Sequence, residues 1–190
     1  MTTYKVNEIF QSIQGEGIDT GKHVTFIRLA GCNMNCSFCD TMHLDYRELS
    51  IEQILPQCSS RVVITGGEPL LQNIVDLVFS FYETGRDIGL ETNGSFKLPM
   101  EPEYFNSVSL SPKVPRVDCQ LGQANSLKIL FPYLKGITAY DYYDFRAEYK
   151  SIQVINPEKK EHIIDAIDEV KRLGGDWRLG IQIHKFIGVK

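Results

Sequence analysis

Little in this sequence points to a membrane, a secreted scaffold or a polyanionic partner. No run approaches the ~18 consecutive apolar residues of a membrane-spanning helix, so no span is expected. The opening MTTYKVNEIF lacks a basic segment leading into an apolar one. It does not read as a secretory signal, and a cytoplasmic protein is the expectation. Neither sign of charge dominates: 20 Lys and Arg stand against 24 Asp and Glu, for a net charge of −4. That balance argues against broad nucleic-acid binding, which rests on neutralising many phosphates. Cysteine is sparse and odd in number, five in 190 residues, so a disulfide framework is not expected. There is no internal repeat, low-complexity tract or linker composition, and one domain over residues 1–190 follows.

Hydrophobic residues make up 43% of the chain, enough for a sizeable core. Short apolar, β-branched runs predict strands at 24–29, 62–65, 88–92, 108–110, 127–130, 152–155 and 179–183. They read as mostly apolar on both faces, as in a covered parallel sheet. Between them lie helical patterns. Leu70, Leu71, Ile74, Leu77, Val78 and Phe81 form an amphipathic stripe that Gly85 ends. A second helix over 157–173 has Asn156 as N-cap and Pro157 at N1, buries Ile163, Ile164, Ile167 and Val170, and stops at Gly174-Gly175. A short helix starts after Ser50. The Tyr- and Asp-rich stretch 138–148 fits no element. Strand–helix alternation with few helices predicts an α/β fold, a partial, open (β/α)6-type barrel with some crossover helices shortened.

Three cysteines crowd into Gly31-Cys32-Asn33-Met34-Asn35-Cys36-Ser37-Phe38-Cys39-Asp40-Thr41, with spacing C-x3-C-x2-C. The loop follows a predicted strand, at the strand end that carries chemistry in barrel folds. Thiolates select zinc or iron–sulfur clusters. A closed zinc site and an ordinary 4Fe-4S cluster each want four ligands. Three thiolates on a cluster leave one iron open for a ligand. The rival reading is a zinc knuckle completed by His43, Cys58 or Cys119, a binding module without catalysis. A second motif, Gly66-Gly67-Glu68-Pro69, follows the next predicted strand. By itself it reads as a strand-to-helix turn, with Pro69 starting the helix.

Paired in this order, the two motifs resemble the radical SAM superfamily, in which three such cysteines hold a 4Fe-4S cluster and the GGEP segment binds S-adenosylmethionine (SAM). Further segments narrow the likeness. Ile9 to Gly17 (IFQSIQGEG), Phe26 to Asn33 (FIRLAGCN), Cys39-Asp40-Thr41, Glu91-Thr92-Asn93-Gly94, Ser111-Pro112-Lys113 and Gln182-Ile183-His184-Lys185 together resemble the 7-carboxy-7-deazaguanine synthase (QueE) family. That resemblance implies a lyase of deazapurine and queuosine biosynthesis. SAM is cleaved to a 5′-deoxyadenosyl radical, which takes hydrogen from 6-carboxy-5,6,7,8-tetrahydropterin; the ring contracts, ammonia leaves and 7-carboxy-7-deazaguanine forms, with Mg²⁺ assisting. It also implies a homodimer and an electron donor such as flavodoxin or ferredoxin, with no nucleic acid or membrane partner. A glycyl-radical-enzyme activase shares the cysteine loop, but the Ser12 to Gly17 segment speaks against it.

The resemblance also distributes roles. Cys32, Cys36 and Cys39 would hold the cluster. Ile13, Gln14, Gly15 and Thr65 would touch substrate, and Arg28 would clamp its carboxylate, since an Arg in an apolar strand is costly unless paired. Glu91 would be catalytic, steering the substrate radical or binding the SAM ribose. Phe38, Cys39, Asp40, Gly67, Glu68, Ser111, Pro112, Lys113 and Gln153 would bind SAM, with Glu68 giving countercharge or fixing the loop. Thr41 would hold Mg²⁺, with Asp40 as substitute or as a turn cap. His184 and Lys185 would close the pocket. Plainer readings stand beside these: a Gly-rich turn at 13–15, a core aromatic at Phe38, a solvated Lys113, and a structural or surface His184.

Overall fold

The computed structural model describes residues 2–39, 44–155 and 158–189. The predicted Asn156 cap and Pro157 lie outside them, as do Asp40, Thr41 and His43. In chain order the elements are β1 (Thr3–Ile13), β2 (His23–Leu29), β3 (Arg47–Ser50), α1 (Ile51–Ile54), β4 (Arg61–Gly66), α2 (Val75–Glu83), β5 (Asp87–Thr92), β6 (Ser107–Leu110), β7 (Gln123–Phe131), β8 (Arg146–Val154), α3 (Lys160–Leu173), β9 (Trp177–Gly180) and α4 (Ile183–Ile187). One nine-stranded sheet runs in the order β3-β1-β2-β4-β5-β6-β7-β8-β9. From β2 through β9, with β3 set aside, every neighbouring pair is parallel. The end strands β3 and β9 do not meet, so the barrel is partial and open, as expected. α2 and α3 cover the crossovers β4–β5 and β8–β9, while β5–β6 and β6–β7 carry only 3₁₀ turns.

Only β2 and β4 are apolar on both faces; from β5 on they are not, and this corrects the reading of a covered sheet there. Their period of two separates the residues sharply. Ile27, Leu29, Val62, Ile64, Ile88, Leu90, Val108, Leu110, Leu127, Ile129, Ile152 and Val154 join α2 in the main core. Val24, Phe26 and Val63 form a small second cluster with Phe10 on the other face, but beyond them the alternate positions are mostly small or polar: Thr65, Gly89, Glu91, Ser107, Ser109, Ser126, Lys128, Ser151 and Gln153. One face of the sheet therefore packs against helices, and the other is left to line a cleft.

Two strands escaped the sequence pattern. β1 pairs antiparallel with β2 and with β3. Its polar residues Lys5, Asn7, Glu8, Gln11 and Ser12 dilute any apolar alternation, and a bulge between Val6 and Glu8 breaks the period. The bulge has a consequence. It sets Glu8 opposite Arg28 and Phe10 opposite Phe26, whose rings stack with centroids 5.1 Å apart.

Other boundaries moved for local reasons. The 70–81 stripe divides into a 3₁₀ turn at Pro69–Leu71 and α2. Between them the Gln72 amide donates to Lys5 O and Ala30 O and accepts from Lys5 N, tying this turn to β1. In α3 the core face is Ile163, Ala166, Val170 and Leu173, whereas Ile164 and Ile167 lie exposed beside it. α1 does start after Ser50, which forms a capping box with Gln53. The predicted strand at 179–183 ends at Gly180, and Ile183 opens α4 instead. The stretch 138–148 turns back into β8: Tyr142 is buried and its hydroxyl donates to Val114 O at 2.8 Å, with Arg116 over the rings of Tyr142 and Phe145. No helix among the described residues is long and apolar enough to cross a membrane.

Phe81 anchors α2 with no exposed surface. Phe81→Ala should lower the unfolding free energy by about 3–5 kcal/mol, measured by chemical denaturation.

Candidate active site

A cleft of about 860 Å³ opens at the C-terminal ends of the parallel strands. Its floor and walls are built by the loops that follow β2, β4, β5 and β6, and each loop is stitched to the next. Gly31 leaves β2 with φ +91, a conformation that favours glycine. Glu68 N donates to Gly31 O at 2.9 Å and Gly67 N to Leu29 O at 3.2 Å. A Cβ on Gly67 would collide with Gly31 O and the Cys32 side chain, so the glycine is a requirement of close approach between two loops. Asn93 Nδ2, after β5, donates to Asn33 Oδ1 in the cysteine loop at 2.9 Å. After β6, Ser111 N donates to Thr92 O and Lys113 N to Asn93 O.

Glu68 belongs to this framework. It is fully buried and does not line the cleft. Its carboxylate accepts from Thr92 Oγ1 at 2.9 and 3.0 Å, Asn93 N at 2.7 Å and Leu70 N at 3.1 Å. Burial pushes its pKa up and these donors pull it back. Of the two roles expected for Glu68, fixing the loop is the one the geometry matches.

Cys32, Cys36 and Cys39 all line the cleft, as does Phe38, which is no core aromatic. Cys39 N donates to Cys36 O in a tight turn, and Met34 N donates to Cys32 Sγ. Burial raises the Cys36 thiol pKa, nearby Lys113 opposes it, and the thiols of Cys32 and Cys39 add to it. Among the described residues no group of three or more His, Cys, Asp or Glu side chains is gathered for a single metal ion. Three thiols on one loop can each hold a separate iron of a cluster and leave a fourth iron open. Cys58 and Cys119 do not join them. Cys58 Sγ donates to Ile54 O, and burial raises its pKa to about 11; Cys119 Sγ donates to Leu121 O.

The residues expected to bind SAM separate into two groups. Gly67, Ser111, Lys113 and Gln153 line the cleft; Pro112 does not. Lys113 is not a solvated lysine. Its ammonium donates to Ser111 O at 2.9 Å and Ser111 Oγ at 2.8 Å, and burial, opposed by Cys36, lowers its pKa to about 8. Gln153 is 2% exposed, and its Nε2 has no hydrogen-bond partner in the structure. A buried donor left unmade costs about 1–3 kcal/mol, so it calls for a ligand acceptor. The thiol loop, the glycine cradle and this orphaned amide fit a cluster with SAM beside it.

The opposite wall gathers the residues expected at the substrate. Arg28 lines the cleft, its Nε 2.9 Å from Glu8 Oε1 across the strand pair and its guanidinium 5.7 Å from the Phe10 ring centroid. Gln14 Nε2 and Thr65 Oγ1 donate to Glu91 at 3.2 and 2.9 Å. Glu91 is thus joined to Gln14 and Thr65 rather than to the turn at Ser111. Ile13 lines the cleft but Gly15 does not. Gly15 is where the C-terminus docks: its carbonyl accepts from Ile183 N, and any Cβ there would strike the His184 ring. His184 and Lys185 line the rim.

Two members of this wall were assigned no role from sequence. Lys128 Nζ lies 2.7 Å from Glu16 Oε2 and 3.3 Å from Glu91 Oε1. Against its burial, Lys128 holds the Glu16 pKa down to about 2, with Gln182 and His184 helping. Burial depresses Lys128 itself, but the two carboxylates outweigh it and raise its pKa above that of an ordinary lysine. The signal was present: a lysine inside Leu127-Lys128-Ile129-Leu130 poses the same question as Arg28 in its strand.

Comparison with known proteins agrees with this layout. Residues 26–113 match the Radical SAM superfamily. The 7-carboxy-7-deazaguanine synthase of Bacteroides thetaiotaomicron is 33% identical over 98% of this chain and 98% of its own. That of Bradyrhizobium diazoefficiens is 32% identical over 99% of this chain and 100% of its own. The crystal structure of QueE from Escherichia coli superposes with a TM-score of 0.77 at 26% identity, covering 95% of this chain and 94% of that one.

Gly67→Ala should force the GGEP and cysteine loops apart. Iron bound after anaerobic reconstitution is expected to fall severalfold while the far-UV spectrum stays that of the parent.

Proposed function

The chain belongs to the 7-carboxy-7-deazaguanine synthase family of radical SAM enzymes, and from that premise we propose how its cleft converts 6-carboxy-5,6,7,8-tetrahydropterin to 7-carboxy-7-deazaguanine with loss of ammonia. The observation that carries the reading is one cleft lined by two unlike sets of residues. The cysteine loop with Gly66 and Gly67 supplies one, and Gln14, Arg28, Thr65 and Glu91 supply the other.

A 4Fe-4S cluster and SAM go with the family, and when bound they supply the radical that takes hydrogen from the substrate. Cys32, Cys36 and Cys39 would hold the cluster. Gly67 would let backbone approach the methionine end of SAM, Lys113 and Ser111 would contribute polar contacts, and Gln153 would offer its unpaired Nε2. Phe38 would meet the adenine. Arg28 takes the substrate carboxylate: a guanidinium forms paired, orienting hydrogen bonds, and its pairing with Glu8 fixes its approach. Gln14 and Glu91 meet the pterin edge, where an amide and a carboxylate match ring N–H and C=O groups. Mg²⁺ sits at Thr41. A flavodoxin or ferredoxin delivers the electron, and the working unit is a single-domain homodimer in the cytoplasm. A small, walled cleft supports a small-molecule substrate over the protein partner that a glycyl-radical activase needs.

Anaerobic reconstitution followed by dithionite, SAM, Mg²⁺ and carboxytetrahydropterin tests the reaction, with carboxydeazaguanine as the expected product. Stoichiometric zinc without SAM turnover would sink the reading. Cys36→Ala should abolish both SAM cleavage and product. Arg28→Ala should cut kcat/KM for the pterin about ten- to a hundredfold, as loss of a charged hydrogen bond predicts, while SAM is still cleaved without coupling. Loss of both activities in Arg28→Ala would count against its role at the substrate.

A further inference from the structure

We propose that Lys128 is a positioning residue that keeps Glu16 and Glu91 together as a charged acceptor wall for the N–H groups of the bound heterocycle. The inference deepens the functional reading above and rests on it.

Lys128 is 4% exposed, in the middle of β7, on the sheet's inner face. A lysine there is expensive unless paired. Its partners come from different parts of the fold: Glu16 from the β1–β2 turn and Glu91 from β5. Both carboxylates line the cleft. Each also has a second donor. Gln182 holds the other Glu16 oxygen, and Gln14 and Thr65 hold Glu91. A carboxylate offers about four acceptor sites, so the pair keeps acceptor capacity for a ligand while its orientation is set from behind.

Without the ammonium, two carboxylates would share one half-buried wall, and one would take up a proton. A protonated carboxyl loses acceptor sites and becomes a donor, which is the wrong partner for a ring N–H. Lys128 removes that option. With Glu16 held at about 2, that carboxylate stays charged throughout the working range. The charged groups facing Glu16 are Lys128 on β7, His184 on α4 and Lys113 after β6, with Glu91 on β5 reaching it through Lys128.

A role confined to folding would give the same contacts, so the test must read protonation. The reconstituted enzyme, loaded with SAM and kept without reductant, binds its pterin without turnover; the probe is 6-carboxy-5,6,7,8-tetrahydropterin, titrated from about pH 5.5 to about pH 8. The ratio of variant to parent Kd removes the ligand's own titration. For Lys128→Met the ratio should be about tenfold at the alkaline end and climb as pH falls, because the wall now protonates within the range. Lys128→Arg should keep the ratio flat with pH. A second series in a His184→Gln background separates the titration of that imidazole and should show the same climb. A flat ratio for Lys128→Met overturns the proposal, and so does parental affinity. If Lys128→Met does not retain its iron, Glu16→Gln decides: about tenfold weaker binding with a flat ratio supports the proposal, and parental affinity overturns it. A parent enzyme that does not bind the pterin at all overturns the functional reading instead.

Discussion

Polar side chains that face inward from an open parallel sheet must find partners among one another, in the turn that crosses that face or in a ligand, because no helix layer covers them. Everything particular to this molecule follows from that constraint. Where the inner positions are small, as at Ser107, Ser109 and Ser126, the turn Gly17–Asp19 packs down on the sheet: Ile18 N donates to Ser126 Oγ and Ser107 Oγ to Asp19. Where they are large and polar, as at Arg28, Glu91, Lys128 and Gln153, they pair with one another or wait for a ligand. Arg28 has Glu8, Lys128 has two carboxylates, and Gln153 Nε2 keeps an unmade donor, as the Ser109 hydroxyl does nearby on the same face.

The loops at the strand ends answer a different demand. They must hold three thiols and a glycine cradle in fixed relation without a helix to brace each one. The chain does this by passing hydrogen bonds from loop to loop, through Gly31, Glu68, Asn93 and Asn33. Glu68 is the hub, and its burial explains why the GGEP carboxylate never reaches the cleft. Rigid loops on a rigid sheet are what radical chemistry asks for, since a reactive intermediate must meet one hydrogen and no other.

The parallel strands were legible because β-branched runs bounded by turns survive dilution, and the cysteine and GGEP motifs because their chemistry constrains spacing. β1 and β3 were not. Both are edge-side strands rich in polar residues, and β1 carries a bulge that spoils its period. The reading of strands as apolar on both faces failed at one residue type in particular. Serines and glycines on the inner face look neutral in a sequence, and only the register shows that they all fall on one side. Ile164 and Ile167 were placed in the core because four isoleucine and valine positions overfill one helical face; the helix buries Ile163 and Val170 and leaves the others out.

The sequence by itself determined the chemistry: three thiols a few residues apart, a glycine turn one strand later, and an arginine in an apolar run. These are local patterns, and local spacing suffices to constrain them. Only the tertiary structure decided the company each group keeps. Glu16, Glu91 and Lys128 lie far apart in the chain, and so do Arg28 and Glu8, Gly15 and His184. Their contacts depend on strand order, on one bulge and on where the C-terminal helix docks, which are global features that no short stretch of residues encodes.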